Sequence, residues 1–178
     1  ARDNIIKNCT ADDTNVIFWV RADSLALGRV AHDNTFINNT FNNIGDLQWN
    51  QNSNVNSGNT IVNTVITNVP TEIDSGGYGQ YFTYEYSDFW DFWGTNGVPE
   101  SGTGNISIDP QFLDTVDFEV QNIGLKAGTP ISGVEYDRDG VEREDPPTMG
   151  ALELPTKSIT ITTTSTSTTW APALVTNS

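Results

Sequence analysis

Residues 34–41 read Asn-Thr-Phe-Ile-Asn-Asn-Thr-Phe, and similar octets occupy residues 4–11 and 59–66. Asn stands at the first and fifth positions of each octet, and a bulky apolar residue stands at the third. The octets are offset by 30 and then by 25 residues. A period of this length is typical of stacked repeats, in which each unit buries its apolar face only against its neighbours. The octets therefore predict a repeat architecture.

The composition of the octets favours strands over helices. Thr, Ile, Val and Phe suit a pleated surface, Asn and Thr are weak helix formers, and no segment shows sustained helical periodicity. We predict short parallel strands, each wound round to stack on the last. Further strands are predicted at residues 15–20, 105–108, 117–120 and 151–154. The alternative is an antiparallel β-sandwich in which the Asn residues are ordinary loop residues.

Stacked strands place equivalent side chains about 4.8 Å apart, where Asn amides can hydrogen-bond along a ladder. Two such structural ladders are predicted, one of Asn4, Asn34 and Asn59 and one of Asn8, Asn38 and Asn63. The second ladder competes with glycosylation of its first two members, since an inward Asn cannot carry a sugar, and we favour the ladder. The remaining sequon, at Asn105, follows a Gly-rich turn and is the predicted glycosylation site.

Charge and length exclude several classes of function. The chain has 178 residues, enough for one domain with a buried core. Its 23 acidic and 8 basic residues give a net charge of −15, which excludes non-specific nucleic-acid binding and argues against docking on anionic membranes. No apolar run approaches the roughly 20 residues that a membrane-spanning helix needs. We therefore predict neither nucleic acid nor membrane insertion among the interactions of this protein.

Cys9 is the only cysteine, so an intrachain disulfide is impossible. A nucleophilic cysteine needs a basic partner, and His32 is the only histidine. We interpret Cys9 as a small buried core residue.

Three segments near the C-terminus carry a family resemblance. Residues 104–114 read Gly-Asn-Ile-Ser-Ile-Asp-Pro-Gln-Phe-Leu-Asp, and they are followed by Lys-Ala-Gly-Thr-Pro-Ile at 126–131 and by Asp-Arg-Asp-Gly through Met-Gly-Ala-Leu-Glu at 137–153. Together they resemble the C-terminal end of secreted right-handed parallel β-helix proteins of the pectate-lyase-like kind. The resemblance extends over roughly residues 34–154. It implies a right-handed parallel β-helix over residues 1–154, and the length of the chain leaves room for only a few coils.

The resemblance is specific for fold and not for function, because the same ending occurs on lyases, adhesins and proteins of unknown role. This chain also departs from the pattern. Thr129 stands where the family usually has Ser, Gly-Val-Glu at 133–135 replaces Asp-x-Gly, and residues 144–147 add acid and proline to the last loop. The resemblance implies an extracellular or cell-surface location.

No convincing catalytic group emerges from the sequence. A polysaccharide lyase needs a basic residue to take the proton and usually calcium on clustered carboxylates, and no basic residue lies beside such a cluster in the repeats. A glycosidase needs two carboxylates across a cleft. Asp88 and Asp91 are the best pair, but an exposed acidic turn is the favoured interpretation. We therefore predict no catalytic residue.

Calcium is the one candidate cofactor. Asp137, Asp139 and Glu142 surround Gly140 with oxygen ligands, but the loop lacks the later positions of an EF-hand. The alternative is a solvated acidic turn closed by Arg138 or Arg143.

Residues 81–93 are rich in aromatic side chains, which we assign mainly to core or interface packing. Trp90 and Trp93 are the candidate exposed contacts for a glycan or a neighbouring subunit.

The last segment, residues 155–178, is a Thr/Ser-rich tail, with 11 Thr or Ser among residues 156–169. Such composition is typical of a linker or a glycosylated stalk, yet the stretch around Ile159 and Ile161 is strongly β-prone. We predict that the tail pairs along its own β-helix or, as an intersubunit strand, onto a neighbour, with Ile159, Ile161 and Trp170 as contacts.

These observations predict a non-catalytic extracellular structural protein, a β-helix subunit of a surface layer, fibre or filament. Its predicted partner is a second copy of the chain, with glycans as a further candidate. The alternative function is a carbohydrate-binding or polysaccharide-degrading β-helix module.

Overall fold

A computed structural model of the chain describes residues 3–14, 31–44, 56–69, 82–92 and 102–154. Within these ranges the protein is all-β, and its only helical element is a 3-10 turn at Ile123–Leu125. No helix in these ranges has the length and apolar character needed to cross a membrane. The predicted strand at 15–20, the side chain of Trp93 and the whole tail lie outside the described residues.

Each repeat contributes two main strands joined by a two-residue corner. The strands are β1 (Ile5–Lys7), β2 (Thr10–Thr14), β3 (Ala31–His32), β4 (Thr35–Ile37), β5 (Thr40–Ile44), β6 (Asn56–Ser57), β7 (Asn59–Val62), β8 (Val65–Val69), β9 (Phe82–Glu85) and β10 (Asp88–Phe92). One sheet has the order β1-β4-β7-β9, the second has the order β2-β5-β8-β10, and β3 pairs with β6. The first strands of all repeats thus form one sheet, and the second strands form the other.

Every one of these strand pairs is parallel, in the register that the octets predict. Ile6 pairs with Phe36, and Phe36 pairs with Ile61, so equivalent octet positions meet. The predicted parallel pairing is confirmed, and the antiparallel sandwich is wrong. The stack also contains a fourth repeat, missed in the sequence, in which Tyr84 pairs with Ile61.

The corners depend on residues in the left-handed region of the backbone map. Between the two strands of each repeat stand Asn8, Asn38, Asn63 and Tyr86, with φ between 47° and 55°. Five residues before the first three stand Asp3, Asp33 and Gly58, and five residues after them stand Asp13, Asn43 and Asn68, all with positive φ. Asn, Asp and Gly enter this region at the lowest steric cost. Their five-residue spacing therefore sets the length of each face.

The main core lies between the two sheets. It contains Phe36, Phe41, Ile44, Ile61, Ile66, Val69, Phe82, Tyr84, Phe89 and Phe92. The aromatic rings cluster toward β9 and β10, where the ring centroids of Tyr84 and Phe89 are 5.4 Å apart and those of Phe89 and Phe92 are 5.2 Å apart. Burying each of these side chains contributes about 1.5–3 kcal/mol, so the stack is held mainly by its apolar columns.

Residues 102–154 return along the outside of the stack without forming extended strands. The strands predicted at 105–108, 117–120 and 151–154 are therefore wrong, and only Ile106 makes an isolated parallel bridge, to Asp88. Their apolar side chains instead build a second core on the outer face of β8, around Val65, Val120, Leu125 and Met149. Prolines and turns interrupt this segment, so its apolar residues are buried without a continuous ladder.

Gly150 lets residues 102–154 pack closely against the stack. Its φ is +107°, and a Cβ at this position would lie 2.9 Å from Thr40 Oγ1 and 3.3 Å from Val65 Cγ2. We expect Gly150→Ala to lower the free energy of unfolding by about 2 kcal/mol, from backbone strain and this contact. Gly140→Ala is the matched control, since Gly140 has φ +84° with no atom within 4 Å. Urea unfolding of both variants separates the two causes, and equal losses would contradict the contact.

Candidate functional site

The corners of the stack are lined by two inward columns of polar side chains. In the first, Asn4 Nδ2 donates to Asn34 Oδ1 at 2.8 Å, and Asn34 Nδ2 donates to Asn59 Oδ1 at 2.9 Å. The same oxygens accept from the backbone N–H groups of Asn4 and Asn34. The first column thus satisfies backbone donors that the corner leaves without a strand partner.

The second inward column lies one residue later than predicted. It consists of Cys9, Asn39, Thr64, Ser87 and Asn105. Asn39 Oδ1 accepts from the N–H of Cys9 at 3.0 Å, Ser87 Oγ accepts from the N–H of Thr64 at 3.1 Å, and Asn105 Oδ1 accepts from the N–H of Ser87 at 3.1 Å. Cys9 itself is exposed, because it lies in the outermost described repeat, so its predicted burial is wrong.

Asn8, Asn38 and Asn63 face outward, toward the returning segment, and are not joined to one another by the side-chain hydrogen bonds of a ladder. Asn63 Nδ2 donates to Thr129 O at 2.7 Å, and Asn63 Oδ1 accepts from Thr129 N at 2.8 Å. Asn8 Nδ2 donates to Tyr136 O at 2.9 Å. The left-handed backbone at these positions turns their side chains away from the interior.

We call residues 126–154 the strap, because they lie across successive repeats of the stack. The strap contacts the first repeat through Arg143, whose Nη2 donates to Asn8 Oδ1 at 3.1 Å. It contacts the second repeat through the N–H of Ala151, which donates to Thr40 Oγ1 at 2.9 Å, and the third through Asn63. Val134 and Ile131 also pack on Ile37 and Val62.

A buried ionic cluster holds the strap in shape. Glu153 accepts from Lys126 Nζ at 3.0 Å, from Arg143 Nη1 at 3.4 Å and from both the N–H and the hydroxyl of Thr148. Arg143 Nη2 also donates to the carbonyls of Gly150 and Ala151. Burial holds the pKa of Arg143 below its ordinary value, an effect opposed by the charges of Glu153 and Asp137.

Between its anchors at Asn8 and Asn63, the strap leaves a cleft of about 370 Å³ over the second repeat. Asn38 and Arg143 line it, together with Ile131, Val134 and four acidic residues, Glu135, Glu142, Glu144 and Asp145. Asn38 is 1% exposed, yet its Oδ1 has no hydrogen-bond partner, and the buried Nε of Arg143 has none either. This cleft is the candidate functional site.

The predicted calcium ligands are not gathered around one point. Asp137 Oδ1 accepts from the N–H groups of Asp139 and Val141, and its Oδ2 accepts from the N–H of Glu153. Asp139 is exposed and pairs with Arg138 at 3.0 Å. Among the described residues, no group of three or more His, Cys, Asp or Glu side chains is arranged to hold a metal ion. The calcium prediction thus gains no support from this geometry.

The other predicted contacts are dispersed. Trp90 lies on β10 and is half-buried, while Trp93, Ile159, Ile161 and Trp170 fall outside the described residues. Asn105 Nδ2, the atom that would carry a glycan, donates to Tyr84 O at 2.8 Å. Asn105 therefore belongs to the second inward column. The sequon alone predicts a glycan at this residue and gives no sign of this packing role.

Asp88 and Asp91, the best carboxylate pair in the sequence, do not face a common cleft. Asp88 is fully buried and accepts from the N–H of Ile108 at 2.9 Å, whereas Asp91 is exposed.

Comparison with protein-family models gave no match, and comparison with curated proteins gave no match either.

The three outward Asn residues offer a direct test of this geometry. We expect Asn63→Gly to lower the free energy of unfolding by about 1–3 kcal/mol, because it removes two hydrogen bonds to Thr129. Asn38→Gly should lose less than half as much, because Asn38 Oδ1 has no partner to lose and Gly retains the positive φ. Urea unfolding measures both changes, and equal losses would mean that Asn38 is bonded like its neighbour.

Proposed function

We propose that this protein is a non-catalytic structural module of the extracellular space or cell surface, a subunit of a surface layer, fibre or filament. We further propose that its two parallel sheets are the faces of a right-handed parallel β-helix of few coils, as the resemblance to secreted pectate-lyase-like proteins implies. The strand orders support winding, since the chain alternates between the sheets and advances by one position at each repeat. Crossovers between parallel strands of one sheet are right-handed in about 98% of cases.

The main support for a structural role comes from the hydrogen bonds and ion pairs that the basic side chains make. Of the eight basic residues, Lys7, Lys126, Arg138 and Arg143 lie in the described ranges. Lys7 Nζ donates to Gly133 O at 2.9 Å, and Arg138 pairs with Asp117 and Asp139 at 3.0 Å each. Lys126 and Arg143 bind Glu153. All four therefore bind groups of the chain itself, in or beside the strap, where they support rigidity.

Self-association is supported by the position of β1 and β2. Both strands are the outermost members of their sheets, and within the described ranges neither pairs on its other side. An unpaired strand edge is a template for another strand. The β-prone tail, around Ile159 and Ile161, is the proposed strand that a neighbouring copy would add to this edge.

Sedimentation velocity and electron microscopy of the full chain test this proposal. We expect oligomers or filaments whose size increases with protein concentration, and we expect Ile161→Pro to abolish them by removing a backbone donor from the tail. Asn177→Pro, outside the β-prone stretch, is the matched control and should assemble normally. A chain that stays monomeric at all concentrations would overturn self-association, and assembly by the Ile161→Pro variant would exclude the tail as its cause.

The alternative, carbohydrate binding, is supported by a single feature, the cleft beneath the strap. This cleft is a different site from the aromatic surface of Trp90 and Trp93 that the sequence suggested for glycan contact. Polysaccharide degradation has no comparable support, since Asp88 and Asp91 differ so widely in burial.

A further inference from the structure

Within the described residues, the stack of repeats has one covered end and one open end. At the covered end, beyond β9 and β10, Ile106 makes a parallel bridge to Asp88 and accepts from the N–H of Phe89 at 3.0 Å. Asn105 adds a further member to the second inward column there. At the open end, no described strand pairs with the free sides of β1 and β2. The two ends therefore differ in what they can bind.

The open end presents an acceptor that is used at the later repeats. The Oδ1 atoms of Asn34 and Asn59 each accept two hydrogen bonds from the Asn of the preceding repeat, one from its N–H and one from its Nδ2. Asn34 and Asn59 are 0% exposed, whereas Asn4 is exposed and no described residue donates to its Oδ1. The Oδ1 of Asn4 is thus available to a further member of the first inward column.

The backbone of the first repeat is open in the same direction. The N–H groups of Thr35 and Thr40 each donate at 2.8 Å to a carbonyl of the preceding repeat. Ile5 and Thr10 hold the equivalent positions in the register of the sheets, so their N–H groups face the open end. An unpaired strand edge with donors and acceptors in fixed register can pair with an added strand.

We propose that the open end binds an extended segment of another polypeptide that follows the octet pattern, with Asn two positions before a bulky apolar residue. The segment adds in parallel, so its contacts continue the interface between the repeats. Its Asn donates through N–H and Nδ2 to Asn4 Oδ1, and its apolar residues cover Ile6 and Ala11. Ile6 and Ala11 are only partly buried, whereas their equivalents Phe36 and Phe41 are 1% and 2% exposed.

This partner differs from the one proposed for self-association. Residues 155–176 of the tail contain no Asn, so the tail can offer backbone donors to the open end but not the amide of a ladder residue. A second copy does carry octets, but they are paired inside its own stack. The binding of an octet segment does not depend on self-association, because one copy carries the whole site.

NMR titration of the isotope-labelled full chain tests this binding. The chain carries Ile161→Pro, so that the tail of a neighbour does not compete, and the probe is a synthetic peptide of residues 33–44. We expect saturable shifts of the amides of Ile5 and Thr10, while those of Phe89 and Ile106 at the covered end stay unchanged. A peptide of tail residues 156–167 should bind at least about tenfold more weakly, since it lacks the ladder amide.

Asn4→Ala should weaken the binding of the 33–44 peptide at least about tenfold, because it removes the acceptor of two hydrogen bonds from an exposed position. Asp91→Asn, exposed on β10 at the covered end, is the matched control and should bind the peptide normally. Within the peptide, Asn34→Ala should weaken binding at least about threefold, because one of two donors is lost. Thr35→Ala, at a position that alternates with the inward residues, should have little effect.

The proposal is overturned if the 33–44 peptide gives no saturable shifts, or if it shifts the covered end instead. Equal binding by the Asn4→Ala chain or by the Asn34→Ala peptide would also overturn it. Equally tight binding of the tail peptide would overturn the preference for an octet segment, and that result would instead support the tail as the strand of self-association.

Discussion

Glu153→Gln is expected to lower the free energy of unfolding by about 3–5 kcal/mol. The carboxylate lies at the centre of the strap, and its side chain is 1% exposed. Its partners are buried as well, with side-chain exposures of 4% for Arg143 and 11% for Lys126. The amide of Gln would leave the buried Arg143 without the carboxylate that it pairs with, would leave Lys126 with only its exposed partner Glu144, and would direct its own N–H groups at donors.

Glu144→Gln is the matched control for this prediction. Glu144 binds the same Lys126, at 2.6 Å, but its side chain is 42% exposed. A solvent-exposed ion pair contributes at most about 1 kcal/mol, so this variant should remain close to the wild type in urea unfolding. Similar losses in the two variants, or a loss below about 1 kcal/mol for Glu153→Gln, would contradict the central role of Glu153.

Asp88 is expected to make the protein less stable as the pH rises from about 4 to 7. Burial, reinforced by the charge of Asp109, raises the pKa of Asp88 from 3.8 to about 7, although the N–H groups of Ile108 and Phe89 oppose this. The folded protein then binds a proton that the unfolded chain releases near pH 4, so folding is favoured at low pH and that advantage disappears by about pH 7. A shift of this size corresponds to about 4 kcal/mol.

Asp88→Asn should remove this dependence while keeping the oxygen that accepts from Ile108. We expect the free energy of unfolding of the variant, relative to the wild type, to increase by up to about 4 kcal/mol between pH 4 and pH 8. Thermal or urea unfolding across this range gives the difference in free energy of unfolding between the variant and the wild type. The titration of all other groups cancels in this difference. Asp91→Asn removes a nearby exposed carboxylate. Its free energy of unfolding, plotted against pH, should run parallel to that of the wild type. Parallel curves for Asp88→Asn would contradict the raised pKa.

The octets alone were sufficient to predict the parallel pairing of the strands and the columns of apolar side chains between the sheets. Stacked parallel strands bring residues together at the repeat offset, so Ile6, Phe36 and Ile61 meet by necessity. The fourth repeat escaped detection because Tyr86 and Ser87 stand where the octets have Asn and Asn, Cys or Thr. Its backbone geometry is nevertheless the same, with φ 47° at Tyr86.

The assignment of the second inward column failed by one residue for a local reason. The fifth octet position adopts left-handed backbone, which turns its side chain outward and leaves the next residue facing the corner. A signal for this was present, since Asp or Asn recurs every five residues at positions 3, 8 and 13 and again at 33, 38 and 43. Such spacing marks corner residues, whereas ladder residues follow them.

The β architecture, the repeat and its register are predictable from the amino-acid pattern, because these depend on neighbours at one fixed offset. The course of the strap is visible only in the folded chain, since its contacts join residues 66 apart at Asn63 and Thr129 and 135 apart at Asn8 and Arg143. No periodicity encodes contacts between a repeat and a non-repeating segment. The cleft over Asn38 and the buried charge of Glu153 arise from that course, and so both became visible only in three dimensions.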